Sequence, residues 1–140
     1  IPSFSPEHFR YINNADPMKT KQLNKGIDQL MEEGVAQLFT KIDSNRKIIG
    51  TVGALQFDVI QHRLEHEYGA KCSYEGLAMH KACWVSSESQ EALDELKARR
   101  RNNIAIDKDG KLVYLAESSW TLKMAQDNHP DVTFHTTSEF

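Results

Sequence analysis

The sequence predicts an α+β protein made of two consecutive β-α-β-β-α-β units, with helices packed on mainly antiparallel sheets. Three observations carry that prediction. A β-rich run, Ile48-Ile49-Gly50-Thr51-Val52-Gly53, passes into an amphipathic segment from Leu55 to Tyr68 and returns as a strand through Cys72. The same alternation of strand-like and helix-like segments recurs after it. Each helical segment carries one apolar stripe, as in Phe57, Ile60, Leu64 and Tyr68, opposite the polar Asp58, Gln61, Glu65 and His66. A helix with one such stripe buries it against a neighbouring layer, here a sheet.

In order along the chain, Ser3 to Pro6 is a loop and Phe9 to Ile12 a strand. Asp16 is an N-cap and Pro17 suits the first turn of a helix whose stripe is Leu23, Ile27, Leu30 and Met31 and which Gly34 ends. Ala36 to Ile42 and Ile48 to Gly53 form a hairpin about Asp43-Ser44-Asn45-Arg46. After the Leu55 helix, Lys71 to Tyr74 closes the first unit. In the second, Ala82 to Val85 is a strand, and Glu88 to Arg100 a helix anchored by Leu93 and Leu96, with Ser87 and Gln90 as its capping box. Ile104 to Asp107 and Leu112 to Ala116 pair around Asp109-Gly110. Ser118 or Ser119 starts a last helix, Pro130 stops it, and Val132 to His135 is the final strand. Gly76 to Met79 is the best boundary, giving units 1–77 and 78–140. A connection this short predicts lobes packed together rather than loosely tethered.

Composition narrows the function classes. With 140 residues and 39% hydrophobic content, the chain supports one or two small cores. A net charge of −3, from 17 basic and 20 acidic side chains, excludes a globally basic nucleic-acid binder and leaves room only for local basic patches. Two cysteines make no disulfide framework, and no signal-like or membrane-length apolar run is present, so a cytoplasmic protein is expected. The chain opens Ile1-Pro2-Ser3 without an initiator Met, which suggests a trimmed product or an excised domain.

Most catalytic motifs fail on register. His62-Arg63-Leu64-Glu65-His66 has the spacing of a zinc-hydrolase motif, but the stripe of its helix turns both imidazoles toward solvent, and no third ligand is tied to them by spacing. His80 and Cys83 point to opposite faces of a strand. Cys72 and Cys83 read as buried, inert thiols. Asp107-Lys108-Asp109-Gly110 lacks the remaining ligands of a calcium loop and reads as a turn. Gly110-Lys111 is no phosphate loop, because Leu112 continues a hairpin. No catalytic, cofactor-binding or metal-binding residue is therefore expected.

Two basic clusters remain as candidate nucleic-acid contacts. Lys97, Arg99, Arg100 and Arg101 close the third helix, where they complement its dipole and its upstream acids, yet three consecutive arginines exceed that need and arginine suits phosphate. Lys19, Lys21 and Lys25 line the first helix. No exposed aromatic is evident for stacking bases, so backbone phosphates would be the target.

One family resemblance spans nearly the whole chain. Residues 21–37, from Lys21-Gln22-Leu23-Asn24-Lys25-Gly26 to Gly34-Val35-Ala36-Gln37, together with Val52-Gly53-Ala54-Leu55-Gln56-Phe57-Asp58-Val59 and Arg63-Leu64-Glu65-His66-Glu67-Tyr68, resemble the C-terminal domain of bacterial peptide chain release factor 3. Lys81-Ala82-Cys83-Trp84-Val85 and His129-Pro130-Asp131-Val132-Thr133-Phe134 extend the likeness. The block from Gly53 to Tyr68 is also similar to the third domain of the translocation GTPase. The resemblance implies a ferredoxin-like fold, in agreement with the tandem β-α-β-β-α-β units read above, and a parent translational GTPase that promotes dissociation of class I release factors from the terminating ribosome. GTP or GDP and Mg would bind an N-terminal domain absent from this chain, which would itself be no enzyme and hold no cofactor. Implied partners are the small ribosomal subunit through its RNA and protein, the class I factor indirectly, and the parent's own GTPase and barrel domains; no membrane is implied. The alternatives are a stand-alone ferredoxin-like domain for ligand sensing or oligomerisation, since this architecture hosts many functions, and the zinc hydrolase.

Overall fold

Short capping side chains start the first 3-10 turn and the two helices of the second half. In a computed structural model that describes residues 3–140, strand β1 (His8–Asn14) leads to Asp16, whose carboxylate accepts the Met18 N–H at 3.0 Å. That cap holds a 3-10 turn, Pro17–Lys19, which runs on into helix α1 (Thr20–Glu32). α1 ends where Gly34 takes a left-handed φ of 78°, a conformation open to glycine at no steric cost. The hairpin β2 (Gln37–Lys41) and β3 (Lys47–Thr51), helix α2 (Gln56–Tyr68) and β4 (Cys72–Gly76) complete the first half.

The second half repeats the order with β5 (Lys81–Ser86), α3 (Gln90–Arg99), a 3-10 turn at Arg101–Asn103, β6 (Ile104–Ile106), β7 (Leu112–Ala116), α4 (Ser119–Asn128) and β8 (Thr133–His135). The expected Ser87–Gln90 capping box is not what forms. Ser89 caps α3 by accepting the Ala92 N–H at 3.1 Å, because the Ser87 hydroxyl is already committed to the Asp131 carbonyl at 2.6 Å. Ser118 caps α4 in a reciprocal box with Thr121.

All eight strands join one antiparallel sheet in the order β4-β1-β3-β2-β6-β7-β5-β8. From either outer edge inward, each half contributes its fourth, first, third and second strand. The halves meet through β2 and β6, paired at Thr40 with Ile106 and Lys41 with Ala105, and just beyond them the Ile42 N–H donates to the Ile104 carbonyl at 3.1 Å. Two separate sheets stacked on one another, the simplest form of packed lobes, therefore do not occur.

Strand alternation divides the apolar residues between two faces. On the helix-covered face of the first half, Ile12, Leu38, Ile49 and Cys72 meet α1 and α2 through Leu23, Ile27, Leu30, Phe57, Ile60 and Leu64. Val85, Ile104, Tyr114 and Ala116 meet Leu96 of α3 and Ala125 of α4 in the second half. Among the described residues no helix packs on the opposite face. There Phe9, Phe39 and Ile48 of the first half bury against Ala82, Trp84, Ala105, Val113 and Leu115 of the second. β2 and β5 stand three ladder steps apart, about 14 Å in a flat sheet, yet the Phe39 and Trp84 ring centroids lie 6.3 Å apart. The sheet is therefore curled, with both halves contributing to a common core inside the curl. Both chain ends fasten it: Ser5 N–H donates to Thr136 O at 3.3 Å, Ser138 N–H to Ser3 O at 2.8 Å, and Ala82 N–H to Ser5 Oγ at 3.0 Å.

Candidate nucleic-acid interface

The first basic cluster lies at the start of α1. Lys19 ends the 3-10 turn and Lys21 and Lys25 follow at i,i+4 spacing, all three exposed. Among the described residues no carboxylate pairs with them. No acid occupies the first turn of α1, so the positive end of the helix dipole and these ammonium groups reinforce one another. Such an arrangement attracts phosphate oxygens without reading sequence.

The second cluster is divided by the helix end. Lys97 lies 3.7 Å from Asp94, and Arg99 Nε 3.1 Å from Glu95. Arg101 is exposed in the turn after α3. Arg100 is half-buried, and its Nε is enclosed without a hydrogen-bond partner. Its charge is felt inside: burial first, then Arg100, hold His129 below its ordinary pKa. Burial raises Tyr114, and the same guanidinium partly opposes that rise. Three consecutive arginines thus serve three surroundings, and they sit on the helical layer of the other half from Lys19, Lys21 and Lys25.

His62 and His66 are both exposed on α2, their rings stacked with centroids 4.0 Å apart. His66 Nδ1 lies 3.0 Å from the His62 carbonyl, to which it can only donate. Among the described residues no group of three or more His, Cys, Asp or Glu is placed to hold a metal ion. Cys72 and Cys83 are buried and free, in strands β4 and β5 that stand at the first and seventh positions of the sheet. Burial raises both thiols, Cys83 to about 11, which keeps them protonated and poor nucleophiles. Asp107 is engaged in its own turn, accepting from Asp109 N–H and Lys111 N–H, and from Trp84 Nε1 at 2.9 Å. Sequence reasoning did not single out Ser86, whose Oγ lies 2.6 Å from His135 Nε2 across β5 and β8; His135 in turn stacks on Phe140. That pairing depends on strand register, which no local spacing reveals. No helix among the described residues is long and apolar enough to cross a membrane.

A family model for the class II release factor RF3, C-terminal domain, matches residues 1–126. The chain belongs to this family. The match takes in both basic clusters and seven of the eight strands, β8 lying beyond it. In this release-factor domain the motif Arg63-x-x-x-Glu67-Tyr68 is a clasp between helices. Arg63 donates to both carboxylate oxygens of Glu33 at the end of α1, at 2.9 and 3.1 Å, and to Glu67 one turn along α2, at 2.5 and 2.9 Å. The guanidinium holds the Glu67 carboxyl below its usual range. Tyr68 and Leu64 lie over Gly26, where an added Cβ would come within 2.9 and 2.7 Å of them. Gln56 closes the β3–α2 turn: its Oε1 accepts Val52 N–H and Gly53 N–H at 3.0 and 2.8 Å, and its Nε2 donates to Val35 O at 2.8 Å.

Proposed function

We propose that this chain is the ribosome-docking part of a GTP-dependent peptide chain release factor that promotes dissociation of class I release factors during translation termination. The observation that carries the reading is the family match over residues 1–126. GTP or GDP and Mg would then be held by another domain of the parent protein, this chain would contribute no catalytic group, and the setting would be the cytoplasm. The matching strand order in the two halves supports reading them as two ferredoxin-like units, 1–77 and 78–140, fused edge to edge.

In this account the domain works as a rigid surface. A ligand shifts a conformational equilibrium only through unequal affinity for the two states, and a body that does not flex transmits such a difference without loss. The curled sheet, with helices outside and a core shared by both halves, supports that role. Lys19, Lys21 and Lys25, unpaired beside a helix N-terminus, are the RNA contacts this reading favours, with Arg99, Arg101 and Lys97 second because acids already face Arg99 and Lys97. Arg100, turned partly inward, ranks last. The test is co-sedimentation with ribosomes across a salt series. Reversing Lys19, Lys21 and Lys25 to Glu should weaken binding and reduce the salt slope by about one per lost contact. Binding that is unchanged at every salt concentration would remove these lysines, and a wild-type chain that never pellets would remove the docking role.

A further inference from the structure

Some of the exposed apolar side chains, though not Met18, Trp120 or Phe140, share one region. Phe4 (60% exposed), Val52 (69%), Leu55 (78%) and Val59 (48%) gather around the turn from β3 into α2 and the chain segment beside it. Phe4 and Val52 overhang an open groove of about 670 Å³ whose floor includes Met31, Val35 and Leu38. The β6–β7 turn of the other half forms its far wall, so the groove straddles the seam between the halves. Its walls carry Glu32, Glu33, Asp107 and Asp109 against a single Lys108. Glu33 is paired with Arg63, while Glu32 and Asp109 are exposed and, among the described residues, unpaired. The rim is preformed, because Gln56 ties the β3–α2 turn to Val35 and Gln37 Nε2 donates to the Phe4 carbonyl at 2.6 Å. Thr51, which lines the groove, is 1% exposed and its hydroxyl has no partner.

We infer that this groove docks a protein segment that presents an apolar side chain flanked by lysine or arginine. The apolar floor and overhanging Phe4 and Val52 take the apolar side chain, as contiguous exposed apolar surface does at interaction sites. Glu32 and Asp109 face the flanking cations. The same acids repel phosphate, so nucleic acid is the wrong occupant. The inference goes beyond the ribosome-docking reading and is independent of it, since Lys19, Lys21 and Lys25 do not line the groove.

The test is two-dimensional NMR of the isotopically labelled chain against four probes: a short peptide with one Leu between Arg and Lys residues, the same peptide with Glu for the basic residues, the same with Gly for Leu, and a uridine oligonucleotide. The first probe should shift Val35, Val52, Gln56 and Asp109 as a group and the others should not. Val52→Ser and the double variant Glu32→Lys, Asp109→Lys change only exposed side chains, so the rest of the spectrum should stay in place. Each should weaken the first probe about fivefold. Equal shifts from the Gly-substituted peptide, groove shifts from the acidic peptide or the oligonucleotide, or no groove shifts at all would each overturn the inference. None of these outcomes bears on whether the chain pellets with ribosomes.

Discussion

Replacing Gly26 with alanine probes the closest approach in the first half. Gly26 is buried within α1, and a Cβ there would lie 2.7 Å from Leu64 Cδ2 and 2.9 Å from the Tyr68 ring. Carbon atoms rest at about 3.5–4.0 Å, so the overlap is about 1 Å. Leu64 is fully buried and Tyr68 is an aromatic ring, so neither yields at its far end; α1 and α2 must separate. Overpacking of this kind costs about 1–3 kcal/mol, and the better helix propensity of alanine returns about 1 kcal/mol. The net is a loss of about 1 kcal/mol, or a Tm lower by about 4 °C. Gly26→Val, with a smaller return and two more methyl groups to place, should lose about 2 kcal/mol or more. Urea unfolding should show lower midpoints with unchanged m-values. A Gly26→Ala chain that unfolds at higher urea than the wild type would refute the packing argument, because only an open site lets the propensity gain stand alone.

Other substitutions test single groups. Thr51→Val removes a buried hydroxyl that has no partner while keeping its shape, so stability should be unchanged or higher by up to about 1 kcal/mol; a loss of that size in urea unfolding would show that the hydroxyl is bonded after all. His129 is 5% exposed and burial holds its pKa below the ordinary value, with Arg100 and Arg99 acting in the same direction and Glu95 against them. The unfolded chain therefore binds the proton more readily, so the stability that His129 contributes is complete above about pH 6.5 and declines as pH falls below it. His129→Gln should flatten that decline, and His135, depressed by burial, should leave a residual slope. Identical slopes in the two chains, measured by urea unfolding between neutral and mildly acidic pH, would place the proton elsewhere.

Much of the fold was legible because helical stripes and hairpin turns are local. Leu23, Ile27, Leu30 and Met31 in α1, and Phe57, Ile60 and Leu64 in α2, are buried as their spacing predicts. Competing hydrogen bonds hid the rest, as at α3, where Ser87 is diverted to Asp131 and Ser89 becomes the cap. The union of the halves was not legible, since β2 and β6 share two residue pairs and the apolar residues of β2 and β3 serve both faces. At the candidate interface the two basic clusters could be read directly as charge. That Arg99 pairs with Glu95 while Arg100 turns inward could not, because helix phase breaks at Arg99 and the surroundings of Arg100 are supplied by α4 and β7. The groove is formed by segments far apart in sequence, so no local pattern marks it.

The claim on which the rest depends is that the two halves form one rigid body around the Phe39–Trp84 core. Native-state hydrogen exchange through a urea series measures this directly. Amides of Ile60 and Leu64 in the first half and of Leu96 and Ala125 in the second should open with the same free energy and the same urea dependence. Two groups of amides with separate opening energies, divided at the β2–β6 seam, would contradict it.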